Sequence, residues 1–204
     1  MDQRVRPSPR LAPLPPEHTP ALSELLDTTR KRMGFIPNSM LIMQRRPEIV
    51  KGLGQLLAAV WDPKSKVDNG FKRLIAHVAS RSAGCRYCMA HTADGAAKSG
   101  IDARKLDAVW EYQTSPLFSA AERIALDVAV AAGCVPNDVT DEMFAQLRRH
   151  WTDDQVVEIV AVIATFGFLN RWNDTLATPL EPEPLEYAER HLAPHGWEVG
   201  KHLR

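Results

Sequence analysis

Cysteine is scarce in this chain: three residues among 204, at Cys85, Cys88 and Cys134. An odd and small number fits no closed extracellular disulfide framework. Charge of one sign is not in excess either. Lys and Arg together number 25, as do Asp and Glu, and no basic stripe carries interleaved aromatics. That removes the electrostatic case for nucleic acid or an anionic membrane surface as a partner. The opening "MDQRVRPSPRLAPLPPEHTP" lacks an apolar stretch and is no secretory signal, so a cytoplasmic location is expected, where a disulfide is transient and catalytic. No hydrophobic run is long enough to cross a bilayer. The best, "VVEIVAVIATFGFL" from Val156 to Leu169, is short and contains Glu158, and reads as a buried core helix. Clean period-two alternation between turn signals is missing, as are internal repeats. The expected fold class is therefore all-α, with eight or nine helices.

Apolar residues make up 45% of the chain, enough for a real core in one domain. Residues 1–19 read as an extended, proline-rich arm suited to wrapping a neighbouring subunit. Residues 20–180 carry helical spacing throughout. Residues 181–204 form a tail, rich in proline like the segment from Pro179, whose Trp197 wants a partner surface; subunit contacts are expected there. Start and stop signals divide the helical part. Pro47 suits a first helical position, Asp68 and Asp102 suit caps, and Gly84 suits a left-handed exit. Ser119 with Glu122, and Thr152 with Gln155, have capping-box spacing. Gly133 ends a helix ahead of Cys134, which reads as inert. Asn170-Arg171-Trp172-Asn173 reads as the termination of the longest helix, together with subunit packing.

The chemistry concentrates in "GCRYCMAHTADGA", Gly84 to Ala96. With Cys85 in the first turn of a helix, Cys88 sits about one turn up the same face. The positive helix start favours thiolate over thiol. His91, a further turn along, can take a proton from Cys88 or stabilise its thiolate. Three readings stand: a dithiol redox pair, a zinc site, and three residues that simply pack. Zinc lacks a second ligand pair elsewhere in the chain, so no metal is expected. A thioredoxin-type use of C-x-x-C needs an upstream βαβ pattern, and the upstream sequence is helical.

With "AGCRYCMAHTADGAAKSG", the upstream "GFIPNSMLIMQRRPE" and the downstream "FLNRWNDTLATPLE", the chain resembles the carboxymuconolactone decarboxylase family, and within it the AhpD-like alkylhydroperoxidases, over roughly residues 20 to 180. The resemblance implies an all-α homo-oligomer, trimeric or hexameric, with thiol peroxidase or dithiol–disulfide activity and no haem, metal or other cofactor. It implies that Cys88 attacks a hydroperoxide and becomes a sulfenic acid, and that Cys85 condenses with it. A small dithiol protein or lipoyl group then restores the pair.

Two positions depart from the family pattern. Arg73 stands where the family places a glutamate, and Thr92 where it places a histidine; His91 is one residue earlier. Candidates for the relay or its surroundings are therefore His77, Arg73, Tyr87 and Glu158. His77 follows Arg73 by one turn and serves as a base or as a satisfied core residue. Arg73 lowers the thiol pKa as a nearby cation, or forms a surface ion pair. Tyr87 donates a hydrogen bond near the thiols, or packs. Glu158, on a helix apolar almost all round, needs a partner, with Arg171 or Arg73 the first choice and the relay the second. Glu122 is expected to serve only its cap. The rival functions are a decarboxylase acting on a small lactone acid, which would not need both cysteines, and a non-enzymatic redox sensor of the same fold.

Overall fold

The computed structural model describes residues 9–203. Among them are ten α-helices and no strand: α1 (Ser23–Met33), α2 (Asn38–Met43), α3 (Pro47–Val60), α4 (Asn69–Ser82), α5 (Arg86–Lys98), α6 (Ala103–Asp107), α7 (Ala120–Gly133), α8 (Asp141–His150), α9 (Asp153–Leu176) and α10 (Pro182–His191). The all-α expectation holds. The helix after Asp102 is shorter than its spacing suggests, because it tightens into a 3-10 turn at Ala108–Glu111.

The local signals act as their chemistry dictates. Asp68 accepts the Phe71 N–H at 2.8 Å, and both capping boxes are closed in both directions. Such caps are worth about 1 kcal/mol each, because they satisfy N–H groups the helix cannot. Gly84 exits α4 with φ +71°, a region where an added Cβ is strained.

Helix α4 is the hub. Leu74, Ile75, Ala76 and Ala79 are buried, and the helix packs on α5, α7 and α9. α9 is the one described helix long and apolar enough to span a bilayer by length and composition. It lies within the bundle, with Val156, Ile159, Val162 and Phe166 in the main core. Two smaller clusters flank that core. One joins α1 to α3; the other joins α5 to α10 and the residues beyond it.

Both ends of the described residues fold back on their own chain. Of the arm, residues 1–8 lie outside the described residues. The rest bonds within the chain: Arg10 N–H donates to Leu176 O at 3.1 Å, and Gln44 donates to the carbonyls of Leu14 and Pro15. The tail lies on α5. Trp197 is buried, and its indole donates to Arg86 O at 3.1 Å. The partner surface that Trp197 requires is thus the cysteine-bearing helix itself.

Candidate functional site

Cys85 is the N-cap of α5, and its sulfur accepts the Cys88 N–H at 3.4 Å. Cys88 sits in the first turn. Both are free thiols and both are buried. Ala90, Ala93, Gly95 and Ala96 keep the rest of α5 slim, so that neighbouring helices approach it closely. A cavity of about 310 Å³ opens along one side of α5, and Cys88 lines it while Cys85 does not. The cavity mixes an apolar wall (Met40, Leu57, Trp61, Phe166) with basic groups, Arg32, Arg73 and Lys98.

His91 also faces this cavity, and behind it lies a carboxylate that the sequence reading missed. Glu181, buried at the N-cap of α10, places Oε2 at 2.6 Å from His91 Nε2. Its other oxygen accepts the Tyr87 hydroxyl at 2.9 Å and the backbone N–H of Asn38. The Tyr87 and His91 rings stack 4.3 Å apart, as neighbours one turn apart on a helix can. Burial alone would raise the Glu181 carboxyl. The charge of His91 and the bonds from His91 and Asn38 outweigh it and hold the group below the usual carboxylate range. When His91 donates through Nε2, the neutral ring keeps its lone pair on Nδ1.

Burial pushes the Cys88 thiol well above its ordinary pKa; the neighbouring Cys85 adds to this, and Asn173 opposes it. Asn173 is the second residue the sequence reading missed. Its Nδ2 donates to Cys88 Sγ at 3.5 Å from a fully buried position on α9. The Asn170–Asn173 segment therefore does not end the helix, which continues to Leu176. The helix-start effect expected to favour a thiolate at Cys88 is overridden by desolvation; the N–H that expresses it points at Cys85.

The remaining candidates separate. Arg73 lines the cavity, stacks over Trp61 at 4.0 Å, and lies so close to α5 that a Cβ at Gly95 would sit 3.1 Å from its guanidinium. Its pKa is lowered to about 10, by burial first and then by Arg32. It is not among the groups that shift the Cys88 thiol. His77 is absent from the cavity lining and lies buried between α4 and α5. Its Nδ1 meets Met89 O at 3.1 Å and Thr92 Oγ1 at 3.0 Å, and burial lowers its pKa to about 4. It braces α5 from behind. Glu158 pairs with neither Arg171 nor Arg73. It accepts the N–H groups of Lys66 and Val67 at 2.9 Å and lies 3.6 Å from Lys72, away from the thiols. The cause is its register: at the start of α9 it meets the loop before α4. Glu122 closes its cap and also pairs with Lys105, and Cys134 lies against Ser82, remote from the cavity.

The model of the carboxymuconolactone decarboxylase family matches residues 47–131. The structure of the debrominase Bmp8 superposes with a TM-score of 0.82 and 32% identity, over 88% of this chain and 96% of the other. A cysteine-to-alanine variant of Bmp8 in complex with 2,3,4-tribromopyrrole gives the same TM-score at 31% identity. An uncharacterised peroxidase-related protein of a Silicibacter species superposes at 0.72 with 20% identity, over 90% of this chain and 96% of its own, a likeness of fold. The uncharacterised protein YnjA of Escherichia coli is 29% identical over 118 residues, 58% of this chain and 65% of its own length, just under two thirds.

Proposed function

We propose a chemistry that starts from one premise: the chain belongs to the carboxymuconolactone decarboxylase family, in its AhpD-like branch. Its dithiol carries out a two-electron reduction of a substrate held in the cavity beside Cys88. The observation that carries this reading is the shared cavity: the Cys88 sulfur and His91 line the same wall, and His91 is backed by the buried Glu181. The Cys88 thiol is raised by burial, so it loses its proton as it attacks, with His91 as acceptor and Glu181 stabilising the imidazolium. With a hydroperoxide, Cys88 sulfur bonds the terminal oxygen, the O–O bond breaks, and the alcohol leaves with the proton. Cys85 then attacks the sulfenic sulfur, giving a disulfide and water. A small dithiol or lipoyl-type reductant regenerates the pair, in keeping with a cytoplasmic setting. A second copy of the chain is the proposed partner on the outer face of α9.

The test is consumption of an organic hydroperoxide with dihydrolipoamide as reductant. Turnover is expected in the native protein and its loss in Cys88→Ser, with the Cys85–Cys88 disulfide seen by mass spectrometry. An unchanged rate in Cys88→Ser would sink the reading.

A second reading rests on the likeness to Bmp8 together with the apolar wall of Trp61, Phe166 and Leu57. The same dithiol would replace a carbon–halogen bond of a small aromatic by carbon–hydrogen, releasing halide as the disulfide closes. Halide release from a brominated heteroaromatic, measured beside hydroperoxide consumption, decides between the two substrates.

A further inference from the structure

The reaction requires two protons to move, one from each cysteine, and the cavity serves only Cys88. Cys85 does not line it and is buried at the N-cap of α5, beside polar groups from α9 and the tail. There, Cys85 Sγ, a ring nitrogen of His202 and a carboxylate oxygen of Asp174 lie within 4.8 Å of one another. None of these three was a candidate from spacing except Cys85. His202 arrives from a 3-10 turn, Gly200–His202, at the end of the tail.

The geometry of His202 is fixed from two directions. Its Nδ1 donates to Thr178 O at 2.8 Å, and its own carbonyl accepts the Leu180 N–H at 2.9 Å. A neutral ring that donates through Nδ1 must carry its lone pair on Nε2. That nitrogen is buried and makes no hydrogen bond among the described residues. It lies 3.7 Å from Asp174 Oδ1, while Asp174 Oδ2 is held by Lys201 at 2.7 Å. An acceptor with no donor thus belongs to the same 4.8 Å cluster as a thiol that must give up its proton, and a half-exposed carboxylate stands beside it.

We infer that His202 is the proton acceptor for the resolving thiol, with Asp174 stabilising the imidazolium it becomes. The inference rests on the reading that Cys88 attacks the substrate first and Cys85 closes the disulfide. In that step the Cys85 S–H proton passes to His202 Nε2. The Cys85 sulfur pair bonds Cys88 sulfur, the S–O bond of the sulfenic acid breaks, and hydroxide leaves into the cavity, where it takes a proton from solvent and becomes water, His91 having already passed its proton to the alcohol. When an external dithiol reopens the disulfide, His202 returns the proton to the departing Cys85. The two thiols therefore exchange protons with different groups, Cys88 with His91 at the cavity and Cys85 with His202 outside its lining.

The test separates closure from first attack, using His202→Gln and the milder Asp174→Asn. Cys88 is modified with methyl methanethiosulfonate, and the release of methanethiol by Cys85 is followed in a stopped-flow instrument. A parallel arm uses cumene hydroperoxide and traps sulfenic acid with dimedone. In His202→Gln, first modification of Cys88 is expected within about twofold of the native rate, while closure slows at least tenfold and sulfenic acid accumulates. Closure in the native protein should be nearly flat from pH 6.5 to 8.5; in His202→Gln it should climb with pH as hydroxide takes the place of the missing base. The groups facing this nitrogen are Cys85, Asp174, Lys201 and the Tyr87 ring, so Asp174→Asn is expected to slow closure a few-fold and leave the slope shallow. Equal closure rates and profiles in the native protein and His202→Gln would overturn the inference. So would stoichiometric zinc in the purified protein that is lost in His202→Gln. The methanethiol arm needs no natural oxidant: closure there without any sulfenic acid in the peroxide arm would remove the hydroperoxide reading and leave His202 standing. If His202→Gln does not fold, Asp174→Asn with native closure kinetics overturns the inference by itself.

Discussion

At the scale of single residues, the site is built on groups whose protonation the fold has displaced. Cys88 is the first. Burial raises its thiol, so its thiolate population, and its alkylation by iodoacetamide, should still be climbing above pH 9 in the absence of substrate. A plateau below pH 8 would show that some cation reaches the sulfur after all. Glu181 is the second. Glu181→Gln keeps the size and the bonds to Tyr87 and Asn38 but removes the charge that faces His91. Turnover should fall about 10²-fold or more, with a much smaller change in the first binding of substrate. His77 is the third, and its effect is on stability. The folded form titrates near 4, because burial disfavours the charged ring, against 6.5 when unfolded. Above pH 6.5 neither state holds the proton and there is no effect. Between 6.5 and 4 the unfolded chain binds a proton the folded one refuses, so stability falls as pH falls. The loss between pH 7 and pH 5 should be about 2 kcal/mol. His77→Gln, compared by urea unfolding at those two pH values, should lack that part of the slope whatever its stability at pH 7.

At the scale of elements, what was legible in the sequence was local. The caps of α4, α7 and α9 depend on residues three apart, and the spacing of Cys85, Cys88 and His91 fixes their common helix whatever surrounds it. What was illegible joined residues far apart. Glu181 stands 90 positions after His91, in a proline-rich stretch that reads as tail, and Asn173 stands 85 after Cys88. Arg73 stands where the resemblance implies a glutamate, and the carboxylate that meets His91 comes from another element, the N-cap of α10. A signal for Asn173 did exist: a polar residue on a helix otherwise apolar nearly all round has to find a buried donor or acceptor. Glu158 followed the same rule with a different partner. It ties α9 to the loop at Lys66 and Val67 and faces the buried Lys72, whose Nζ donates to Val60 O at 2.8 Å and Ser65 Oγ at 2.6 Å. Glu158→Gln leaves Lys72 buried without its counter-charge. Because the carboxylate is 24% exposed, the cost should be about 1–2 kcal/mol rather than the full penalty of a broken interior pair. Adding Lys72→Met should recover part of it, since the stranded cation is then gone; urea unfolding of both variants measures the difference.

At the scale of the whole molecule, one helix does two jobs. The inner side of α9 supplies Phe166, Leu169 and Asn173 to the cavity. Its outer side presents Val157, Val160, Ala164 and Phe168, at steps of three, four and four residues, to solvent; Val157 alone is 67% exposed. A helix apolar on every side belongs in an interior. Within a single chain this one has an interior on one side only, and the neighbouring α3 adds Ile49 and Leu56 to the exposed apolar residues. A second copy is the proposed cover, and with no net charge on the chain there is no long-range repulsion to oppose it. Burying such a stripe would also hold the cavity wall still, since a turn of α9 that faces the partner outside faces Cys88 inside. Val157→Glu combined with Phe168→Glu should therefore do two things. Sedimentation velocity should shift from a multiple of the chain mass to the single chain. Turnover should drop while the methanethiol closure step, whose base His202 lies on the tail rather than on α9, keeps more of its rate. A native protein that sediments as a single chain over the micromolar range would leave the stripe without its partner and remove the link from assembly to the cavity.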